Sequence, residues 1–191
     1  MHGWVGKILC VDLGTSGVTE RPTAQYTAQY VGGRGIAARI YWESADPGAG
    51  PFDAQNPLIF MTGPLTGTRV QAAPIMAVVS KSPGALPESY CYGTIGGYLG
   101  PELKKAGYDG IVLTGRAPHP VYLTINDDTV EIHDAGALWG KNAFATAAAL
   151  THTHGDKARF HRLRKQSIAR RLALRELRKQ LALAKLAPVA P

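Results

Sequence analysis

Cysteine is scarce in this sequence, and long apolar runs are missing. Only Cys10 and Cys91 are cysteines among the 191 residues. Their wide spacing excludes a CxxC motif, a cysteine zinc site and the dense disulfide framework of small secreted proteins. No run approaches the roughly 18 consecutive apolar residues that a membrane helix needs, and the first residues lack the basic and apolar regions of a secretory signal. We therefore expect a protein without a membrane span in a reducing, cytoplasmic setting.

Charged residues are also sparse, at 18% of the chain, and they are distributed unevenly. Residues 1–155 contain 10 Lys and Arg against 12 Asp and Glu, whereas residues 156–191 contain 11 against 2. All 22 glycines lie in the first of these segments. This change of composition predicts a domain over residues 1–155 and a basic tail, helical or disordered, over residues 156–191.

The tail has the spacing of an amphipathic helix. Its basic and apolar residues would fall on two different faces, formed by Arg171, Arg175, Arg178 and Lys179 and by Leu174, Leu177 and Leu181. Such a helix binds phosphates of nucleic acid or an acidic surface with a steep salt dependence, but a solvated extension has the same composition. A binding module that uses this tail for nucleic acid or an acidic partner is therefore an alternative function, and the less favoured one.

Strand signals outnumber helix signals before the tail. Apolar or β-branched runs predict strands over residues 4–13, 18–20, 57–62, 75–80, 109–114, 121–125 and 129–133. Helical spacing and terminal signals predict short helices over residues 36–45, 101–106 and 141–151. Pro101 suits the first position of the second helix and Gly107 its C-terminal side. This pattern predicts an α+β domain with mainly antiparallel sheet rather than a doubly wound parallel fold.

Two glycine clusters precede predicted helices, one at residues 93–101 and one at residues 32–35, which includes Arg34. Glycine lets main-chain N–H groups approach an anion closely, and a guanidinium binds an oxyanion with two hydrogen bonds. Most glycine clusters, however, mark turns. Neither cluster continues into the Gly-Lys-Ser/Thr of a Walker A loop or forms GxGxxG in a βαβ unit. The clusters thus predict an anion site without indicating a nucleotide-binding fold.

Residues typical of catalysis are absent from recognisable contexts. No Ser, Cys or Lys stands in the surroundings of an activated nucleophile. His152 and His154 lack further ligands at metal-binding spacing. We therefore predict no catalytic residue and no metal ligand in this chain.

Several longer motifs occur in a fixed order. They are MxGWxGKILxVDL at 1–13, GGRGIA at 32–37, GPLTGT at 63–68, KSP at 81–83, GGYLGPELKKAGYDGIV at 96–112, PVYL at 120–123 and LWGK at 138–141. Together they resemble the N-terminal domain of the tungsten-containing aldehyde:ferredoxin oxidoreductases over about residues 1–155.

The resemblance implies two β-sheets that form the base for a tungsten or molybdenum bis-molybdopterin cofactor with Mg²⁺-bridged phosphates. In that family, the loop that matches Thr94, Ile95, Gly96 and Gly97 contacts the pterin and the phosphates through its main chain. Arg34 joins this candidate cofactor-binding set from the other glycine cluster. The family oxidises aldehydes to carboxylic acids, and a [4Fe-4S] cluster passes the electrons to ferredoxin.

The family's cluster motif and its later helical domains have no counterpart here, and two cysteines cannot supply four thiolate ligands. We therefore expect an incomplete first domain that is inactive alone, with ferredoxin and the missing domains as its partners in the full-length family. A non-functional truncated product with an exposed sheet surface is a further alternative. The codons of residues 159–163, read one base later, can encode the Val-Ser-Ile-Gly typical of the family, so an out-of-frame tail is a hypothesis that gene sequencing tests.

Overall fold

The computed structural model describes residues 3–154. The chain divides into one compact unit that ends at Ala137 and a second that begins at Leu138. The basic tail predicted over residues 156–191 lies outside the described residues, so its helical or disordered state and the domain boundary at 155 stay predictions. Among the described residues, no helix is long and apolar enough to cross a membrane.

The first unit contains all the strands of the described part and three of its helices. In chain order these elements are β1 (Lys7–Asp12), β2 (Gly17–Pro22), α1 (Ala24–Thr27), α2 (Gly33–Ser44), β3 (Leu58–Met61), β4 (Met76–Ser82), β5 (Ser89–Ile95), α3 (Leu99–Lys105), β6 (Gly110–Thr114), β7 (Val121–Asn126) and β8 (Thr129–Asp134). In the second unit, α4 (Ala143–His154) corresponds to the helix predicted near residues 141–151.

Six strands form one mixed sheet in the order β2-β1-β6-β3-β4-β5. Only the β1–β6 pair within it is parallel, and its other four pairs are antiparallel. The antiparallel β7–β8 hairpin forms the second sheet. The predicted α+β class, with two mainly antiparallel sheets and a few short helices, is confirmed.

The inner strands of the large sheet are covered on both faces. On one face, α2 contributes Ile36 and Ile40 to a cluster with strand residues such as Ile8. On the other, Leu103 of α3 packs in a cluster with Leu9, and side chains of the β7–β8 hairpin lie against that cluster. Strands buried on both faces require nearly continuous apolar sequence, which is why they could be recognised as unbroken apolar runs.

Three local features differ from the sequence-based expectation. Residues 89–95, whose last three positions we assigned to a glycine loop, form the edge strand β5, and residues 24–27 form the unpredicted helix α1. Helix α3 begins at Leu99, so Pro101 is its third residue and not its first. Proline fits there because the N–H groups of a first turn have no helical acceptor in any case. Gly107 follows α3 with φ +95°, as predicted for a helix terminus.

Candidate functional site

The candidate site begins where β5 ends. Thr94 and Ile95 are the last residues of β5 and pair with Ala77 and Met76 of β4, so they are strand residues and not part of a free loop. Gly96 and Gly97 form the bend that leads into α3.

Gly97 has φ +95°, a conformation that glycine adopts without strain. A β-carbon placed at Gly96 or Gly97 would meet nothing within 4 Å. The space that a side chain would occupy at these two positions is therefore open, and no neighbouring atom of the fold forces either residue to be glycine. By contrast, a β-carbon at Gly100 would lie 3.0 Å from Cγ2 of Thr66 and 3.2 Å from the carbonyl oxygen of Pro74. The bend thus combines main-chain groups with room for a ligand, while Gly100 serves internal packing.

The glycines of the second cluster, at residues 32–35, differ in how much space a side chain would have. A β-carbon at Gly33 would lie 2.2 Å from the carbonyl oxygen of Thr62, so glycine is required there for α2 to approach β3. Gly35 is confined by the ring of Tyr30. Gly32, just before α2, has open space around it. Only part of this cluster is therefore available to a ligand, and Arg34 is its exposed charged residue.

Arg34 contacts β5 directly. Its guanidinium carbon lies 4.7 Å from the centre of the Tyr92 ring, which is a cation–π geometry. Tyr92 and Thr94 are two residues apart in a strand and point to the same face of the sheet. The structure thus brings Arg34, from one predicted glycine cluster, to the same face as Thr94, from the other.

The surroundings of Arg34 are aromatic and half-exposed. Tyr90 meets Tyr41 edge to face, with 5.4 Å between ring centres. Burial raises the pKa of the Tyr90 hydroxyl, although the positive charge of Arg34 acts in the opposite direction. Tyr92 keeps 51% of its surface exposed. This set of groups can hold an anion or a flat polar ring, and nothing in it resembles an acid–base pair.

Sequence reasoning missed Tyr92 as the contact of Arg34. The segment 89–95 is rich in aromatic and β-branched residues, a strand signal that could have separated β5 from the bend. Once β5 is assigned, alternation places Tyr90, Tyr92 and Thr94 on one face and Ile95 on the other.

Two cavities lie elsewhere in the first unit. One of about 410 Å³ is bounded by the β1–β2 turn and the β7–β8 hairpin. Another of about 380 Å³ is lined in part by Cys10 and Arg21. Burial raises the pKa of the Cys10 thiol, with Arg21 acting in the opposite direction, so the environment does not activate this cysteine. None of the predicted site residues lines either cavity.

Comparison with known proteins identifies the family. A family model described as aldehyde ferredoxin oxidoreductase, N-terminal domain, matches residues 8–165. The chain belongs to this family. The resemblance noted from the motifs is thereby confirmed.

Tungsten-containing aldehyde ferredoxin oxidoreductases provide similar relatives. The protein of Pyrococcus abyssi is 43% identical over 159 residues, and that of Thermococcus kodakarensis is 41% identical over 157 residues. Each comparison covers 82% of this chain and 26% of the relative. The chain therefore spans about a quarter of the length of these relatives.

A solved structure has the same fold. It is the active site complex BamBC of benzoyl coenzyme A reductase in complex with 1,5-dienoyl-CoA, with a TM-score of 0.75 and 38% sequence identity. The match covers 80% of this chain and 23% of that chain.

Proposed function

We propose that this chain forms the base on which a tungsten or molybdenum bis-molybdopterin cofactor rests in an oxidoreductase of the aldehyde ferredoxin oxidoreductase type. The observation that carries the proposal is the open bend at Gly96 and Gly97, beside a strand whose face is shared by Arg34 and Thr94. Tungsten-containing relatives at about 40% identity support the choice of cofactor.

The residues present fit an anionic, phosphate-bearing ligand. Main-chain N–H groups at Gly96 and Gly97 can donate to phosphate oxygens without a β-carbon in the way. The Arg34 guanidinium supplies a permanent positive charge and up to two parallel hydrogen bonds to an oxyanion. If Mg²⁺ accompanies the cofactor, it would neutralise part of the phosphate charge, and the Gly96 and Gly97 N–H groups and Arg34 would bind the phosphate oxygens that remain.

Thr94 and Ile95 complete the proposed contact surface. Thr94 is exposed on the Arg34 face and carries a hydroxyl that can donate or accept. Ile95 is 38% exposed and offers apolar surface on the opposite face, next to the bend. The bound cofactor would supply the redox chemistry, while these residues bind and orient it.

In this proposal, aldehyde oxidation with transfer of electrons to ferredoxin requires further protein in addition to this chain. Four thiolates hold a [4Fe-4S] cluster, and this sequence has two cysteines, Cys10 and Cys91, on different strands. The chain alone therefore does not turn over aldehydes.

A cofactor-binding assay tests the proposal. The chain is incubated anaerobically with the tungsten cofactor extracted from a tungsten-containing relative, and the metal and pterin retained after gel filtration are measured. We expect retention by the wild type, and loss of at least about tenfold in affinity for Gly96→Ala and Arg34→Ala, equivalent to one or two charge-assisted hydrogen bonds.

Gly84→Ala is the matched control. Gly84 is an exposed glycine in the β4–β5 connection, and its added β-carbon would only touch Ser82 Oγ at 3.7 Å. It lies at the opposite end of the β4–β5 pair from Gly96. Retention that is equal in all four proteins, or absent from the wild type, would refute the proposed site.

A further inference from the structure

Arg34 carries a positive charge that no neighbouring carboxylate balances. Its side chain is exposed on α2. Among residues 3–154, its guanidinium forms no ion pair and donates no hydrogen bond. Arg39, just over one turn further along the same helix, pairs instead with Glu43 at 2.7 Å. The structure places the Arg34 guanidinium over the ring of Tyr92, with 4.7 Å from the guanidinium carbon to the ring centre.

The ring contact leaves hydrogen-bond donors of Arg34 available. A guanidinium is planar, and its five N–H groups point outward from its edge in a fixed fork. One ring covers only part of this group, so most of the donors are still free to bind a ligand. The arrangement therefore combines a restrained cation with unused donors, and a hydrogen-bonded pair with an oxyanion needs both.

Tyr92 is a firm support for this contact because its strand is attached to the core. It pairs with Val79 of β4, whose side chain is fully buried. A tyrosine ring has only two side-chain torsions, so little conformational entropy is lost when it is held in one place. The ring of Tyr92 therefore offers the longer and more flexible arginine side chain a surface that is already ordered.

A second aromatic contact joins the same helix to the same strand. Arg34 and Tyr41 are seven residues apart in α2, which is two helical turns, so they lie on the same side of the helix. Their partners in β5, Tyr92 and Tyr90, alternate onto one face of the sheet. Tyr41 meets Tyr90 edge to face, and its hydroxyl donates to Oδ1 of Asn56 at 3.2 Å. The second contact therefore fixes the side of α2 from which Arg34 reaches Tyr92.

We propose that Tyr92 is a positioning residue, which holds the Arg34 guanidinium against β5 so that its free donors bind a phosphate oxygen. Without the ring, the arginine side chain would sample many rotamers, and an anion would have to order it on binding. Thr94 lies about 7 Å further along the strand, on the way to the bend at Gly96 and Gly97. Tyr92 acts through Arg34 and needs no contact with the anion. The inference rests on the proposed function, because that function gives Arg34 a phosphate-bearing ligand.

A phosphate titration followed by NMR tests this role. The full ¹⁵N-labelled chain is titrated with inorganic phosphate at constant ionic strength, so that general screening of charge does not change. The Nε–Hε resonance of Arg34, identified by its absence in Arg34→Ala, reports the position of the guanidinium. The amide resonances of Gly96 and Gly97 report the phosphate affinity in every variant. We expect the wild type to bind phosphate and to show an Arg34 resonance displaced by the ring current of Tyr92.

Two substitutions of Tyr92 separate the ring from its hydroxyl. Tyr92→Phe keeps the aromatic face, so it should retain the displaced Arg34 resonance and the phosphate affinity of the wild type. Tyr92→Leu removes that face, so the resonance should move toward that of a free arginine side chain. Its phosphate affinity should fall about twofold to fivefold, the range of a cation–π contact at an exposed site. Wild-type affinity in Tyr92→Leu would overturn the proposal.

A double variant decides whether Tyr92 acts through Arg34. Once Arg34→Ala has removed the guanidinium, adding Tyr92→Leu should cause no further loss of phosphate affinity, because residues that act together are not additive. An equal loss in both backgrounds would refute the positioning role.

Arg39→Ala is the matched control for Arg34→Ala. It removes an arginine of the same helix that is already paired with Glu43, so the phosphate affinity should not change. Failure of the proposed function would have a different signature, in which phosphate binds the wild type and Arg34→Ala equally or binds neither. The displaced Arg34 resonance would then show a contact that is only structural, and the positioning role would be rejected together with the proposed function.

Discussion

The buried carboxylate of Asp109 binds the N-terminal segment of the chain. Our principal stability prediction concerns the substitution Asp109→Asn. The Asp109 carboxylate is fully buried. Oxygen Oδ1 accepts from the N–H of Val5 at 2.9 Å, while Oδ2 accepts from the N–H of Gly6 and the hydroxyl of Thr23, both at 2.7 Å. The Lys104 ammonium, 8% exposed, lies 3.4 Å from Oδ1.

Asparagine has nearly the same shape as aspartate, so the substitution removes the negative charge and one hydrogen-bond acceptor while the packing stays the same. In its better orientation, the amide keeps an oxygen toward Gly6 and Thr23 and turns its NH₂ group toward Val5 and Lys104. The N–H of Val5 then loses its acceptor, which costs about 1–3 kcal/mol. Lys104 also loses its counter-charge, and breaking a buried pair costs about 3–5 kcal/mol in all. That loss is a large part of the roughly 5–15 kcal/mol that stabilises a typical domain.

Urea unfolding followed by circular dichroism measures the effect. Asp127→Asn is the control, because Asp127 is exposed at the β7–β8 turn with φ +52°, a conformation that asparagine also accepts. We expect the control to change the free energy of unfolding by less than about 0.5 kcal/mol. A loss below about 1 kcal/mol in Asp109→Asn, with an unchanged urea dependence, would refute the view that this carboxylate holds the N-terminal segment.

Three further predictions concern single positions. Burial lowers the pKa of the Lys104 ammonium below its ordinary value of 10.5, so the unfolded chain binds more protons just below that pH. The free energy of unfolding of the wild type should therefore rise relative to Lys104→Met as pH increases through this window in urea titrations, and a flat or falling difference would contradict the assignment. Gly33→Ala should lose about 1–3 kcal/mol or more in urea unfolding, because its β-carbon would meet the main chain of Thr62. Gly32→Ala, with open space, should lose less than about 1 kcal/mol, and equal midpoints for the two variants would disprove the packing argument. Gly97→Ala should cost about 1–2 kcal/mol in thermal unfolding from its positive φ alone, and an unchanged melting temperature would exclude that strain.

The parts of the fold that could be predicted are those in which local sequence and burial agree. Strands β3, β4 and β6 are short apolar runs because both faces of the sheet are covered. The β7–β8 hairpin is marked by its turn residues, and Asp127 has the positive φ that such turns require. These elements needed no knowledge of distant contacts.

The hydrogen bonds of the Asp109 carboxylate could not be predicted, because they join residues that are far apart in the sequence. The sequence places Asp109 at the start of the strand predicted over residues 109–114, but the main-chain donors to its carboxylate lie more than 100 residues earlier in the chain. No local periodicity encodes a contact of that separation. Strand β5 was missed because it is exposed along its whole length and so lacks the apolar pattern of the inner strands.

The glycines show why the site required both kinds of information. The sequence alone does not distinguish between four glycines of the two clusters, which are Gly33, Gly96, Gly97 and Gly100. In the structure, Gly33 and Gly100 are explained by neighbours that a β-carbon would strike, whereas Gly96 and Gly97 face open space. Internal packing therefore explains why Gly33 and Gly100 are glycine, but it does not explain Gly96 and Gly97. Because Gly96 can accept alanine in the folded chain, a defect of Gly96→Ala in ligand binding alone would separate a functional glycine from a structural one.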